Sequence, residues 1–269
     1  MTDTRLQHAI RGVAAQHRAA LAAYLPVGWP DRLTNLDALH LLAQSADVVE
    51  LGVPHTAAVL DGPVIRQAAE TALRAGFRMT DVFHAARELS AASSAALLVM
   101  SYYQPVHAYG LHRFAQQAAA AGIDGVLIPD LPAEEAGAWR TAARAAGLAA
   151  IPLVSPRTRS AQLSRILAHA TGLLYAPATS GVTGTDLPVD PGLPDFVGRL
   201  RALTPLPIAT GIGITSPERA HAAAAHADVV VVGSALIRRM QASPRAPLAA
   251  AAAFGRDFAA ACHRLPHAA

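Results

Sequence analysis

Residues Val48–Gln67 read VVELGVPHTAAVLDGPVIRQ. A short apolar run ends in a carboxylate, Glu50; a loop delivers a second one, Asp61; and Gly62-Pro63 opens a helical pattern. Strand, loop and helix in that order make one βα unit. A charged side chain at the tail of a buried strand is costly unless it is paired or used. In βα-repeat proteins the chemistry sits at the C-terminal ends of the strands. Glu50 is therefore the first catalytic candidate, and Asp61 is near enough in sequence to face it across one pocket.

Working outward, the same alternation recurs along the chain. The sequence predicts strands at Leu21–Pro26, Val48–Leu51, Ala96–Met100, Gly125–Ile128, Ala150–Val154, Leu173–Ala176, Pro207–Thr210 and Val229–Val232. Helical patterns fall at Asn35–Gln44, Val64–Ala75, Asp81–Ala92, Leu111–Ala121, Glu134–Ala146, Ala161–Ala168, Phe196–Ala202 and Pro217–Ala225, with an extra one at Arg5–Ala20 ahead of the first strand. Thr80 and Ser216 stand where N-caps belong, and Gly76, Gly122 and Gly147 where helices stop. Spread over 269 residues, eight units take about 34 residues each, the size expected of a (β/α)8 TIM barrel. A doubly wound open sheet is the runner-up; it usually shows G-x-G-x-x-G after the first strand, and Gly28-Trp29-Pro30 does not match. No linker or charge block divides residues 1–269, so a single domain is expected.

Composition narrows the function. Hydrophobic residues make up 52% of the chain, enough for a large core, and much of that is helix-favouring alanine. All 22 basic residues are arginine, and there is no lysine. The net charge of +3 is slight and the arginines are scattered from Arg5 to Arg264, which does not make the basic stripe of a nucleic-acid binder. One cysteine, Cys262, excludes an intrachain disulfide and a thiolate cluster; it reads as a small helix-packing residue rather than a nucleophile. No apolar run approaches a membrane span, and the N-terminal residues do not form a signal-peptide core. A soluble cytoplasmic protein is expected.

Glycines follow the last two predicted strands: Gly211-Ile212-Gly213, then Gly233-Ser234. Backbone N–H groups approach a phosphate closely only where no Cβ intervenes, and barrels hold phosphate after strands seven and eight. The alternative is two ordinary tight turns. The polar stretch from Thr179 to Gly184 reads equally as surface loop or as a closing lid. The 12 histidines show no metal-binding spacing, so no metal site is expected. His55 is the only histidine near the proposed chemistry. Asp130 reads as an acceptor for the loop that follows it more than as a catalytic group.

Glu50-Leu51-Gly52-Val53-Pro54 with Asp61-Gly62-Pro63 resembles the paired-carboxylate segment of tryptophan synthase α subunits, which cleave indole-3-glycerol phosphate. The likeness extends over nearly the whole chain. Tyr24-Leu25 with Gly28 and Pro30, Gly125–Pro132 followed by Glu134-Glu135, Gly181-Val182-Thr183-Gly184, and the glycines at 211, 213 and 233 all match family motifs in order. The resemblance implies that Glu50 and Asp61 are the catalytic pair, with Tyr175 and Thr183 in support. It implies an indole pocket lined by Tyr24, Met100, Tyr102 and Leu127, and phosphate contacts at Gly184, Gly211, Gly213, Gly233 and Ser234.

The departures are concentrated in one loop and one segment near it. Where the family commonly has an aspartate and a proline that face the β subunit, this chain has Ala57 and Ala58. Tyr102-Tyr103-Gln104-Pro105 carries Gln-Pro in place of the usual Asn-Pro. Partnership with a tryptophan synthase β subunit is therefore the open question, and a loop working alone is expected to hold Asp61 by burying Val59 and Leu60.

Retro-aldol cleavage needs a proton delivered to indole C3, support for the cationic ring nitrogen, and removal of the carbinol proton. Glu50 serves as acid and then base, while Asp61 accepts the indole N–H. No cofactor is needed, and a Schiff-base route is excluded because no lysine exists to form the imine. Three readings stand: a free-standing lyase releasing indole for specialised metabolism, a conventional α subunit in tryptophan biosynthesis, and a silent regulatory partner. Retention of Glu50, Asp61, Thr183 and the phosphate glycines argues against the third.

Overall fold

The structure is a computed structural model that describes residues 5–178 and 190–263. Eight strands run parallel: β1 (Ala20–Pro26), β2 (Val48–Gly52), β3 (Ala96–Met100), β4 (Gly125–Leu127), β5 (Ala149–Ile151), β6 (Leu174–Pro177), β7 (Ile208–Gly211) and β8 (Val229–Val232). Their spatial order is β5-β4-β3-β2-β1-β8-β7-β6. The two ends meet where Leu153 bridges Tyr175 in parallel, with Val154 N–H donating to Tyr175 O at 2.9 Å and Tyr175 N–H to Pro152 O at 3.0 Å. The sheet is a nearly closed TIM barrel, as expected. β5 stops short of the predicted Val154 because Pro152 has no N–H to continue the ladder.

Side chains alternate across each strand. One set, including Leu21, Ala23, Val49, Leu51, Leu97 and Val230, packs outward beneath the helices. The other set, including Ala20, Ala22, Val48, Ala96, Leu98, Leu127, Ile151 and Val229, fills the barrel. The extra N-terminal helix exists, but it ends at Ala14 rather than Ala20. His17 takes a left-handed conformation at φ 56°, which turns the chain so that Ala19 and Ala20 can enter the core. The stripe Leu6, Ile10 and Val13 joins the inner cluster, so this helix plugs the barrel floor.

Ser216 caps its helix by accepting from Arg219 N–H at 3.4 Å, and Gly147 closes another in the left-handed region. Thr80 is not a cap, since that helix begins at Met79. Helices at Tyr103–Tyr109 and Ser234–Gln241, not among those read from the sequence, follow β3 and β8. Pro105 sits in the first turn of the former, where its missing N–H costs nothing.

Charge on the N-terminal rim serves the fold. Asp47, Asp124 and Asp228 each precede a strand and accept the backbone N–H of Leu21, Leu97 or Ile208 on the neighbouring strand, at 2.9, 2.8 and 2.9 Å. Arg18, Arg5 and Arg201 pair with them at 2.7, 2.8 and 2.8 Å. Removing one partner of such a shielded pair leaves the other uncompensated. Asp47→Ala is expected to lower unfolding free energy by about 3 kcal/mol in urea denaturation. A change within about 0.5 kcal/mol would reduce the pair to surface decoration.

Candidate active site

The barrel opens at its C-terminal end into a cavity of about 390 Å³. Its walls include Tyr24, Glu50, Asp61, Met100, Leu127, Tyr175, Gly213, Gly233 and Ser234, so most of the side chains singled out from the sequence converge on one space. Leu153, Ile212, Ile214 and Arg157 also line it. Leu153 was legible in principle, because it continues the inward alternation Ala149, Ile151; nothing in the sequence pointed to Arg157. Thr183 and Gly184, with the stretch 179–184 read as loop or lid, lie outside the described residues.

Glu50 ends the inward row of β2, in register with Tyr24 on β1 and Leu98 on β3. Its carboxyl is buried, and no described residue gives it a hydrogen bond or an ion pair. Burial first, and the Asp61 charge second, push Glu50 up to about 8. Asp61 is buried too, and burial pushes it up to about 6. A hydrogen bond from Tyr102 and the nearby Arg66 charge favour its ionised form and hold the rise down. At neutral pH the two carboxyls therefore differ: Glu50 carries a proton and Asp61 a charge.

The support for Asp61 differs from the expected one. Val59 is 70% exposed and Leu60 39%, so neither anchors the loop by burial, whereas Ala58 is 3% exposed. The anchor is Tyr102, whose hydroxyl accepts from Leu60 N–H at 3.0 Å and hydrogen-bonds Asp61. Tyr102 thus stands behind the carboxylate and does not line the cavity, contrary to its expected place in the indole wall. The His55 ring lies 5.6 Å from the Tyr102 ring, centroid to centroid.

The glycines divide in the same way. Gly213, Gly233 and Ser234 line the cavity, the last two opening the helix Ser234–Gln241. Ile212 and Gly213 take φ of 66° and 83°, which turns their backbone sharply at the cavity wall. Gly211 does not reach the cavity. A Cβ there would strike the Tyr175 hydroxyl, so its role is to seat that ring. Asp130 lies outside the cavity and is a backbone acceptor, but for Tyr103 N–H at 2.9 Å, at the start of the helix after β3, rather than for the loop that follows it. Cys262 is buried in the helical layer and burial pushes its thiol up to about 12, which removes it as a nucleophile. Among the described residues no group of three or more His, Cys, Asp or Glu is placed to hold a metal ion. No helix among them is long and apolar enough to cross a membrane.

The family model described as tryptophan synthase alpha chain matches residues 10–263. The chain belongs to the tryptophan synthase alpha chain family. A tryptophan synthase alpha chain from Streptomyces coelicolor is 42% identical over 240 residues, covering 89% of each chain. One from Acidothermus cellulolyticus is 41% identical over 267 residues and covers 98% of each. Among solved structures, a Mycobacterium tuberculosis tryptophan synthase superposes with a TM-score of 0.89 at 35% identity, covering 97% of this chain and 99% of that one. This end-to-end likeness to tryptophan synthase alpha chains favours the conventional α-subunit reading over a free-standing lyase of specialised metabolism.

Proposed function

We propose that this chain is the α subunit of a tryptophan synthase, cleaving indole-3-glycerol phosphate to indole and D-glyceraldehyde 3-phosphate alongside a β subunit. The observation that carries the reading is a pair of buried carboxyls, Glu50 and Asp61, lining one mainly apolar cavity together with Gly213, Gly233 and Ser234; burial raises both, Glu50 further than Asp61. Two titratable groups whose environments push them apart divide the acid and base roles between them.

Protonated Glu50 delivers its proton to indole C3, and the ring becomes cationic at nitrogen. Charged Asp61 accepts the indole N–H and stabilises that cation. Glu50, now a carboxylate, removes the carbinol proton; the carbonyl forms, the bond to C3 breaks, and its electron pair restores the indole ring. Glu50 ends protonated, ready for another turn. Met100, Leu127 and Leu153 give the indole an apolar wall, and Tyr175 supports the reacting end. Gly213 and Gly233-Ser234, at a helix N-terminus, offer backbone N–H groups to the phosphate.

Exposed Val59 beside Leu60 leaves apolar surface next to Asp61. A β subunit covering that loop would shield it and tie Asp61 to the partner's state, despite Ala57 and Ala58. The test is turnover of indole-3-glycerol phosphate by the purified chain, alone and with the host's β subunit. Indole release that rises when the β subunit is added is the expected result. Turnover indifferent to the β subunit would restore the free-standing lyase, and none under either condition would refute the lyase reading.

A further inference from the structure

Tyr24 has a place in the cavity wall, but its hydroxyl has no assigned task. The ring is only 7% exposed, and the hydroxyl makes no hydrogen bond with any described residue. Ser93 Oγ is the single fully buried side-chain polar atom left unpartnered among the described residues. The Tyr24 hydroxyl therefore opens on the cavity that its side chain lines.

Two neighbouring strands are cut away to seat this phenol. On β2, a Cβ at Gly52 would lie 2.6 Å from Tyr24 Cζ and strike the hydroxyl itself. Beyond β8, a Cβ at Gly233 would come within 2.7 Å of Tyr24 Cδ1. The slot directs the hydroxyl across the end of β2 at Gly52, two residues beyond Glu50, the backbone register partner of Tyr24. A phenylalanine would fill the same slot for packing alone. What the hydroxyl adds is a donor beside the two carboxyls.

We infer that the Tyr24 hydroxyl donates a hydrogen bond to the carbinol oxygen of the substrate and holds it while its proton passes to Glu50. This rests on the lyase reading above. The indole N–H is a donor and takes Asp61; of the two side-chain hydroxyls, the one on the carbon bonded to C3 is the one whose proton Glu50 takes, so its oxygen is the one that gains from a donor there. During cleavage its O–H proton goes to Glu50, its electron pair makes the carbonyl, and the carbon–carbon pair returns to the ring. Charge on that oxygen rises if the proton leads, and a fixed donor is worth most where charge develops. Burial and the charges of Asp61 and Glu50 hold the phenol well above its usual range, so it stays a donor and transfers no proton of its own.

The experiment compares wild type with Tyr24→Phe, which keeps the ring and the slot. Turnover should fall about 10- to 100-fold, with KM changed by less than about threefold. In parallel, affinity is measured for indole-3-propyl phosphate, which has no side-chain hydroxyl. That affinity should agree between the two proteins within about twofold, a result that a ring-packing role would not produce. Unchanged turnover, or equal losses for substrate and analogue, would overturn the contact. If wild type itself released no indole, the lyase reading would fall and this contact with it, an outcome distinct from a silent Tyr24→Phe.

Discussion

Glu50→Gln is expected to lower kcat by about 10²- to 10⁴-fold, with KM nearly unchanged. The amide keeps the shape of the side chain and fits a site where the carboxyl has no partner among the described residues, so binding survives. What disappears is the proton that must reach C3 and the base that must take up the carbinol proton. The pH profile carries the same assignment. Wild-type kcat/KM should rise as Asp61 loses its proton near 6 and fall as Glu50 loses its proton near 8. The variant's residual activity should lack the falling limb.

Stability should move in the opposite direction. Burial raises Glu50 from 4.5 in a free chain to about 8 in the fold, so the folded state holds this proton more tightly than the unfolded state. That contribution is full below 4.5 and is lost as pH climbs through about 8. Glutamine has no proton to lose. At about pH 9 the variant should melt at a higher temperature than wild type, and the two should converge in acid. A variant that kept near wild-type turnover would remove Glu50 from the chemistry.

The barrel was legible because its signals are local. Runs such as Val48–Leu51 and Val229–Val232 are short, β-branched and bounded by turns, and their spacing already implies a parallel sheet. Glu50 was legible for the opposite reason: it interrupts such a run where chemistry sits. What escaped depends on contacts between distant segments. That Tyr102 braces Asp61 from behind requires β3 and the β2 loop to meet, and no spacing reveals it. Val59 and Leu60 looked like anchors because they are apolar, yet small Ala58 is the one the loop buries. Gly211 and Gly233 looked alike in the sequence, but the first is set by the ring it must clear and the second by both a ring and the cavity. A glycine reports that space is needed; only the fold says for what.

Asp61→Asn should lower kcat by roughly 10- to 150-fold, a smaller loss than that of Glu50→Gln. The amide oxygen still accepts the indole N–H, so the contact remains. Its charge does not, and the charge is what the cationic ring nitrogen draws on. Hydrogen bonds to an ionised group contribute about 1.5–3 kcal/mol, which sets that range. The rising limb of kcat/KM near 6 should vanish, because the group that titrates there is gone. Tyr102→Phe gives an independent reading of the same group. Its hydroxyl favours the ionised form of Asp61, so losing it raises the carboxyl further and shifts the rising limb toward alkaline pH. Activity at neutral pH then falls and is partly regained as the pH increases, until Glu50 loses its own proton. A limb that stayed near 6 in Asp61→Asn would assign that titration to another group and leave Asp61 as a neutral-equivalent acceptor only.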